Sequence, residues 1–221
     1  MRRLLKLLVI PLALALSVGY GVALYEVAAP RLMGNLIHPF WLGMGIYLGL
    51  FFIWLRKHGG FWETFEHELT HALFALLFFQ RIEGFKATAG GGGQVQHSGR
   101  WGGNFVIALA PYFFPTVTVV PLGLLFLVPP SVQPYVVGAV GFTLMYHILS
   151  TLREAHPRQS DLTRHGLFFS YTMIVLLNLI CIGLVLTLTF SGPGAASDFL
   201  ARGVEVFYID GLAWLRRVVG F

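Results

Sequence analysis

The sequence is short of charge: of 221 residues, 11% are Asp, Glu, Lys or Arg, against 56% hydrophobic. Soluble domains carry about 25% charged residues, so this chain has too few to wet its own surface. That excludes a soluble globular domain, a disordered chain and a disulfide scaffold. Cysteine is nearly absent. Cys181 stands alone, which excludes an intrachain disulfide and a thiolate metal cluster. Aspartate is scarce as well, confined to Asp161, Asp198 and Asp210. The net charge of +5 is scattered, without Lys/Arg-rich runs, so no nucleic-acid partner is expected and the surplus suits anionic lipid headgroups. Long apolar stretches fill the chain, and mean hydropathy is +0.73. The composition is that of an integral membrane protein in contact with the lipid bilayer.

A spanning helix needs about 20 mostly apolar residues. Stretches free of acidic and basic side chains run from Leu7 to Tyr25, Pro39 to Leu55, Phe105 to Val128 and Leu167 to Phe190. Pro134 to Leu152 is interrupted only by His147, and Phe61 to Phe79 carries Glu63, Glu66, His67, Glu68 and His71. The expected fold class is an all-α polytopic membrane protein of about six transmembrane helices, with one membrane domain over residues 1–195. The first stretch follows Arg2, Arg3 and Lys6 as a secretory signal would, but its apolar part is long and no A-x-A site follows, so it reads as a retained signal anchor. In residues 196–221, Leu200, Val204, Phe207, Gly211, Trp214 and Val218 recur at spacings of four and three, which predicts a C-terminal amphipathic helix. It either lies in the headgroup plane or packs against the spans. Positive charges divide almost evenly between the two faces, so the positive-inside rule does not orient the chain.

Two connections are more than turns. Between Gln80 and Asn104 the run Gly90 to Gly93 is flanked by partly alternating stretches, Phe85 to Thr88 and Gln94 to His97, which predicts a Gly-rich β-hairpin-like loop. The second, Thr151 to Gly166, is dense in titratable groups, and Pro157 breaks any helix arriving from the preceding span.

The chemistry is concentrated in His67-Glu68-Leu69-Thr70-His71, an H-E-x-x-H pattern. Histidines four apart share one helical face, so both rings can reach one zinc ion, and the glutamate between them can act as general base on water. Ionisable groups in an apolar span are costly and mark function. Catalytic zinc takes three protein ligands and keeps one position open. Asp161 is the sole aspartate in the membrane core, and two crossings after Phe79 return the chain to the face where the His71 helix ends. Glu154, His156 and the intramembrane His147 compete for the third place. Glu63, one turn before His67, is either a carboxylate orienting that ring or a solvated first-turn residue.

The run HELTHALFALLFF, followed by GFKATAGGGGQV and IALAPYFFP, resembles the site-2 protease class of intramembrane zinc metalloproteases, in its compact bacterial M50B-like branch. Thr70 stands where family members usually have glycine. The second family motif, N-x-x-P-x-x-x-L-D-G, is similar to His156-Pro157-Arg158-Gln159-Ser160-Asp161-Leu162, which keeps the proline and the aspartate. The resemblance implies an intramembrane zinc metalloendopeptidase, with His67, His71 and Asp161 as zinc ligands, Glu68 as catalytic base and a membrane-anchored protein as substrate; the low charge and short loops suit a bacterial plasma membrane. The resemblance also places the metal nearer the cytoplasmic side. An unwound substrate segment would join the hairpin as an added strand, which makes Gly92, Gly93 and Asn104 candidate substrate contacts. Two other readings use the same residues: a non-proteolytic zinc-binding relative acting in a complex, and a membrane transporter with an ion path.

Overall fold

A computed structural model describes residues 3–34, 37–58, 60–87, 93–98 and 104–219. The element order is α1 (Arg3–Gly34), α2 (Pro39–Leu50), a π-helical turn (Phe51–Leu55), α3 (Arg56–His58), α4 (Gly60–Leu77), β1 (Arg81–Ala87) and β2 (Gly93–Ser98). There follow α5 (Phe105–Leu109), a 3-10 turn (Ala110–Tyr112), α6 (Thr116–Leu124), α7 (Gln133–Glu154), α8 (Ser160–His165), α9 (Leu167–Ser191) and α10 (Pro193–Val219).

Among the described residues, four helical stretches are long and apolar enough to cross a membrane: Leu5–Arg31, Pro39–His58, Gln133–Glu154 and Leu167–Ser191. A fifth counts only if the pair Phe105–Tyr112 and Thr116–Leu124 is one broken span. The number therefore differs from the six expected. Helix α4 is the missing one, since its carboxylates and histidines dilute its apolar character. The stretch from Phe105 is not one straight helix either: it bends by 71° between Tyr112 and Thr116. Pro111 and Pro115 account for the break, because neither can donate a helical hydrogen bond and each disfavours helix in the residue before it.

The chain packs as two compact units, residues 37–170 and residues 1–36 with 171–221. In the first, α2 and α7 lie backbone to backbone. A methyl group on Gly43 would sit 2.8 Å from the carbonyl carbon of Gly138, and one on Gly141 would sit 2.8 Å from that of Phe40. Small residues allow this approach between apolar helices, and Tyr47 then packs edge-on against Phe142 and Tyr146. Strands β1 and β2 pair antiparallel, from Arg81 opposite Ser98 to Ala87 opposite Gly93, with an irregularity between Ile82 and Gly84. The predicted strands are thus present, while the turn between them, including Gly92, lies outside the described residues.

In the second unit, α10 packs against α1. Gly203 lies against Tyr20, and Arg202 pairs with Glu26 through both its Nη2 at 2.9 Å and its Nε at 3.0 Å. Phe199 also fills the space over Gly183 of α9. Packing against the helices is what the fold uses, and the face differs from the one the apolar spacing marks. Ala196, Phe199, Gly203 and Val206 are buried, whereas Leu200 and Val204 are exposed. The expected boundary between residues 195 and 196 falls inside α10.

Candidate metal centre

Helix α4 carries the H-E-x-x-H residues on a largely buried face, with Glu63, Glu66, His67, Glu68 and Thr70 all buried. Thr70 is fully buried, and its hydroxyl donates to the Glu66 carbonyl at 2.8 Å and meets the Thr116 hydroxyl at 2.5 Å. A threonine there ties α4 to the start of α6, a link that glycine could not make.

One helical turn apart, the two imidazoles bring their Nε2 atoms to 3.2 Å. Asp161, in the first turn of α8, brings Oδ2 to 3.6 Å from His67 Nε2 and 3.4 Å from His71 Nε2. Three ligand atoms on a tetrahedral zinc with bonds of about 2.0–2.1 Å would be separated by about 3.3–3.4 Å. The observed triangle has that size, and its N, N, O donor set leaves a fourth position free. Among the described residues this is the one group of three His, Cys, Asp or Glu placed to hold a metal ion. Burial opposes ionisation of Asp161, but the two imidazoles facing it overcome that and hold its carboxyl well below the usual carboxylate range.

The other ring nitrogens are also engaged. His71 Nδ1 donates to the Ile107 carbonyl at 2.9 Å. In an unbroken helix that carbonyl would accept from the residue four positions on. That residue is Pro111, which has no N–H, so the break in the helix leaves the acceptor open to His71. His67 Nδ1 lies 2.7 Å from Glu154 Oε2. Tyr112, fully buried in the 3-10 turn, donates its hydroxyl to Asp161 Oδ2 at 3.4 Å and sets its ring edge-on to His67, with centroids 5.1 Å apart.

Glu68 is buried and presses on the hairpin. A methyl group on Gly93 would lie 2.5 Å from Glu68 Cγ and 2.8 Å from its Cδ. The first residue of β2 therefore touches the glutamate, and only the absence of a side chain permits it.

The remaining candidates fall elsewhere. Asn104 is the N-cap of α5, its Oδ1 accepting from Val106 N at 3.0 Å, so that oxygen serves the helix start. His156 is exposed and accepts from the Arg158 amide at 3.2 Å. His147 is buried in α7, outside the group of three. Glu63 is neither solvated nor on His67. It is buried and paired with Arg153 Nη1 at 2.6 Å, and Arg153 in turn lies over the Phe51 ring. The roles of Glu154, Tyr112 and the Ile107 carbonyl escaped the sequence reading. The one signal available was Pro111, whose missing N–H announces a free carbonyl four residues earlier.

Four helical stretches long and apolar enough to span a bilayer, and within residues 37–170 a group of side chains able to hold a metal, define a helical membrane protein with a candidate metal site. The family model described as Peptidase M50B-like matches residues 45–206, and the chain belongs to that family, one of proteases. No curated protein and no solved structure matches the chain.

Proposed function

We propose that the chain is an intramembrane zinc metalloendopeptidase that hydrolyses a peptide bond of a membrane-anchored protein. The observation that carries this is the triangle of His67 Nε2, His71 Nε2 and Asp161 Oδ2 at zinc-like separations, with Glu68 next to His67 in the chain. Zinc held by the three would supply Lewis acidity, polarising the scissile carbonyl and lowering the pKa of water. Glu68 accepts the proton of the attacking water as oxygen bonds to the carbonyl carbon. It then delivers that proton to the amide nitrogen as the C–N bond breaks, and the water's second proton passes from the new carboxyl to the amine, leaving a carboxylate and an ammonium group.

A helical substrate must unwind before its carbonyl is accessible, because helical backbone groups are already hydrogen-bonded. The hairpin offers an edge for such an extended segment. Gly92 and Gly93 are its proposed contacts, and Gly93 carries the segment to Glu68. A bacterial plasma membrane suits the low charge and short loops, and a metal nearer its cytoplasmic side rests on the family.

Elemental analysis of the detergent-purified protein tests the metal. About one zinc per chain, lost in His67→Ala and weakened in Asp161→Ala, supports the reading, and a folded wild type that takes up no zinc overturns it. Cleavage of single-span reporter proteins in vesicles tests the reaction. Glu68→Gln is expected to retain zinc and lose about 10²–10⁴ in rate. Zinc binding without any Glu68-dependent cleavage would favour the non-proteolytic relative.

A further inference from the structure

We infer that Glu154 is the positioning carboxylate of the centre, fixing His67 through its outer nitrogen so that Nε2 faces the metal. This rests on the zinc reading above and concerns a residue that is not one of the three ligands. The geometry separates the two roles. Asp161 approaches His67 at Nε2, the nitrogen that also faces His71, whereas Glu154 approaches Nδ1 at 2.7 Å. The two nitrogens lie on opposite sides of the ring, so Glu154 cannot reach the metal that His67 binds through Nε2.

A carboxylate on Nδ1 holds the proton there, leaves the Nε2 lone pair free and makes the ring a stronger donor. His71 has a neutral acceptor in the same place, the Ile107 carbonyl. The two histidines are therefore not equivalent, and His67 is the one with a charged support.

The fold builds Glu154 for this position. It is the last residue of α7, and Ala155, with φ −70 and ψ 56, ends the helix immediately after it. The chain then turns at Pro157 and returns Asp161 to the other side of the same imidazole. One short segment thus grips His67 at both nitrogens. Arg153, the residue before Glu154, anchors that segment to α4 through Glu63.

The test measures zinc affinity by chelator competition on the full chain in detergent, for wild type, Glu154→Ala and Glu154→Gln, with cobalt(II) absorption reporting the coordination. Losing a carboxylate that holds a ligating histidine typically weakens metal binding about 10–100-fold, and that is the expected loss in Glu154→Ala. Glu154→Gln should lose less, because its amide oxygen still accepts the N–H, and the shape of the cobalt spectrum should stay unchanged in both. Equal zinc affinity in all three proteins overturns the positioning role and leaves the zinc reading intact. A cobalt spectrum of altered coordination also overturns it, by making Glu154 a ligand. A folded wild type that binds no zinc removes the zinc reading and this inference with it. Should Glu154→Ala fail to fold, the near-isosteric Glu154→Gln decides alone.

Discussion

Adding one methyl group at Gly93 tests whether strand β2 and Glu68, the proposed general base, are mechanically joined. In Gly93→Ala the new carbon would lie 2.5 Å from Glu68 Cγ and 2.8 Å from Cδ. Carbon atoms rest at about 3.5–4.0 Å, so the glutamate or the strand must yield by about 1 Å. The glutamate side chain is the softer partner, and driving it off its rotamer costs about 0.5–1.5 kcal/mol. Stability therefore falls little. Rate is more sensitive, since a misplacement of about 1 Å can cost about 10²-fold. Reporter cleavage in vesicles should fall by about that factor in Gly93→Ala and further in Gly93→Val. Zinc content should be unchanged in both, because the atoms nearest the new carbon all belong to Glu68 and none to the three candidate ligands. Alanine and valine variants that cleave as fast as wild type would refute the reasoning, because the methyl group would then have found room without disturbing Glu68.

Removing Arg153 while keeping Glu63 leaves a buried carboxylate unpaired. Because Arg153 is 38% exposed, Arg153→Met should cost about 1–3 kcal/mol, less than a fully buried pair. The Glu63→Gln/Arg153→Met double variant should recover most of that loss in a detergent thermal melt. Pro111→Ala restores an amide that can capture the Ile107 carbonyl; releasing His71 Nδ1 in this way should weaken zinc about tenfold with every ligand intact, as read by chelator competition. In the metal-free protein Asp161 has a folded pKa below its unfolded value near 3.9. Its contribution to stability is therefore fully present above that value and is lost as pH falls below it toward the folded pKa, which acid titration followed by circular dichroism would detect.

Much of the chemistry was legible along the chain because it is local. His67 and His71 share a face for the same reason in any helix, and Glu68 comes with them. Asp161 was reachable by scarcity: with so few aspartates, topology had only one to bring back, although Glu154, His156 and His147 stayed in contention. Local reasoning failed where partners are far apart in sequence. Glu63 has the spacing to support His67, yet Arg153 on α7 takes it, and the support comes from Glu154. The tail shows the same limit: its apolar spacing marks Leu200 and Val204, whereas the buried face holds Phe199, Gly203 and Val206.

The sequence by itself determined the solvent, the helical class and the candidate metal-binding pair, because hydropathy and i, i+4 periodicity are short-range properties of the chain. Tertiary structure decided which carboxylate faces which nitrogen. It also decided that His71 is the group that takes the Ile107 carbonyl and that a glycine of β2 rests on Glu68. Those are distances between elements set by packing: Pro111 announces a free carbonyl, but no pattern along the chain names its partner.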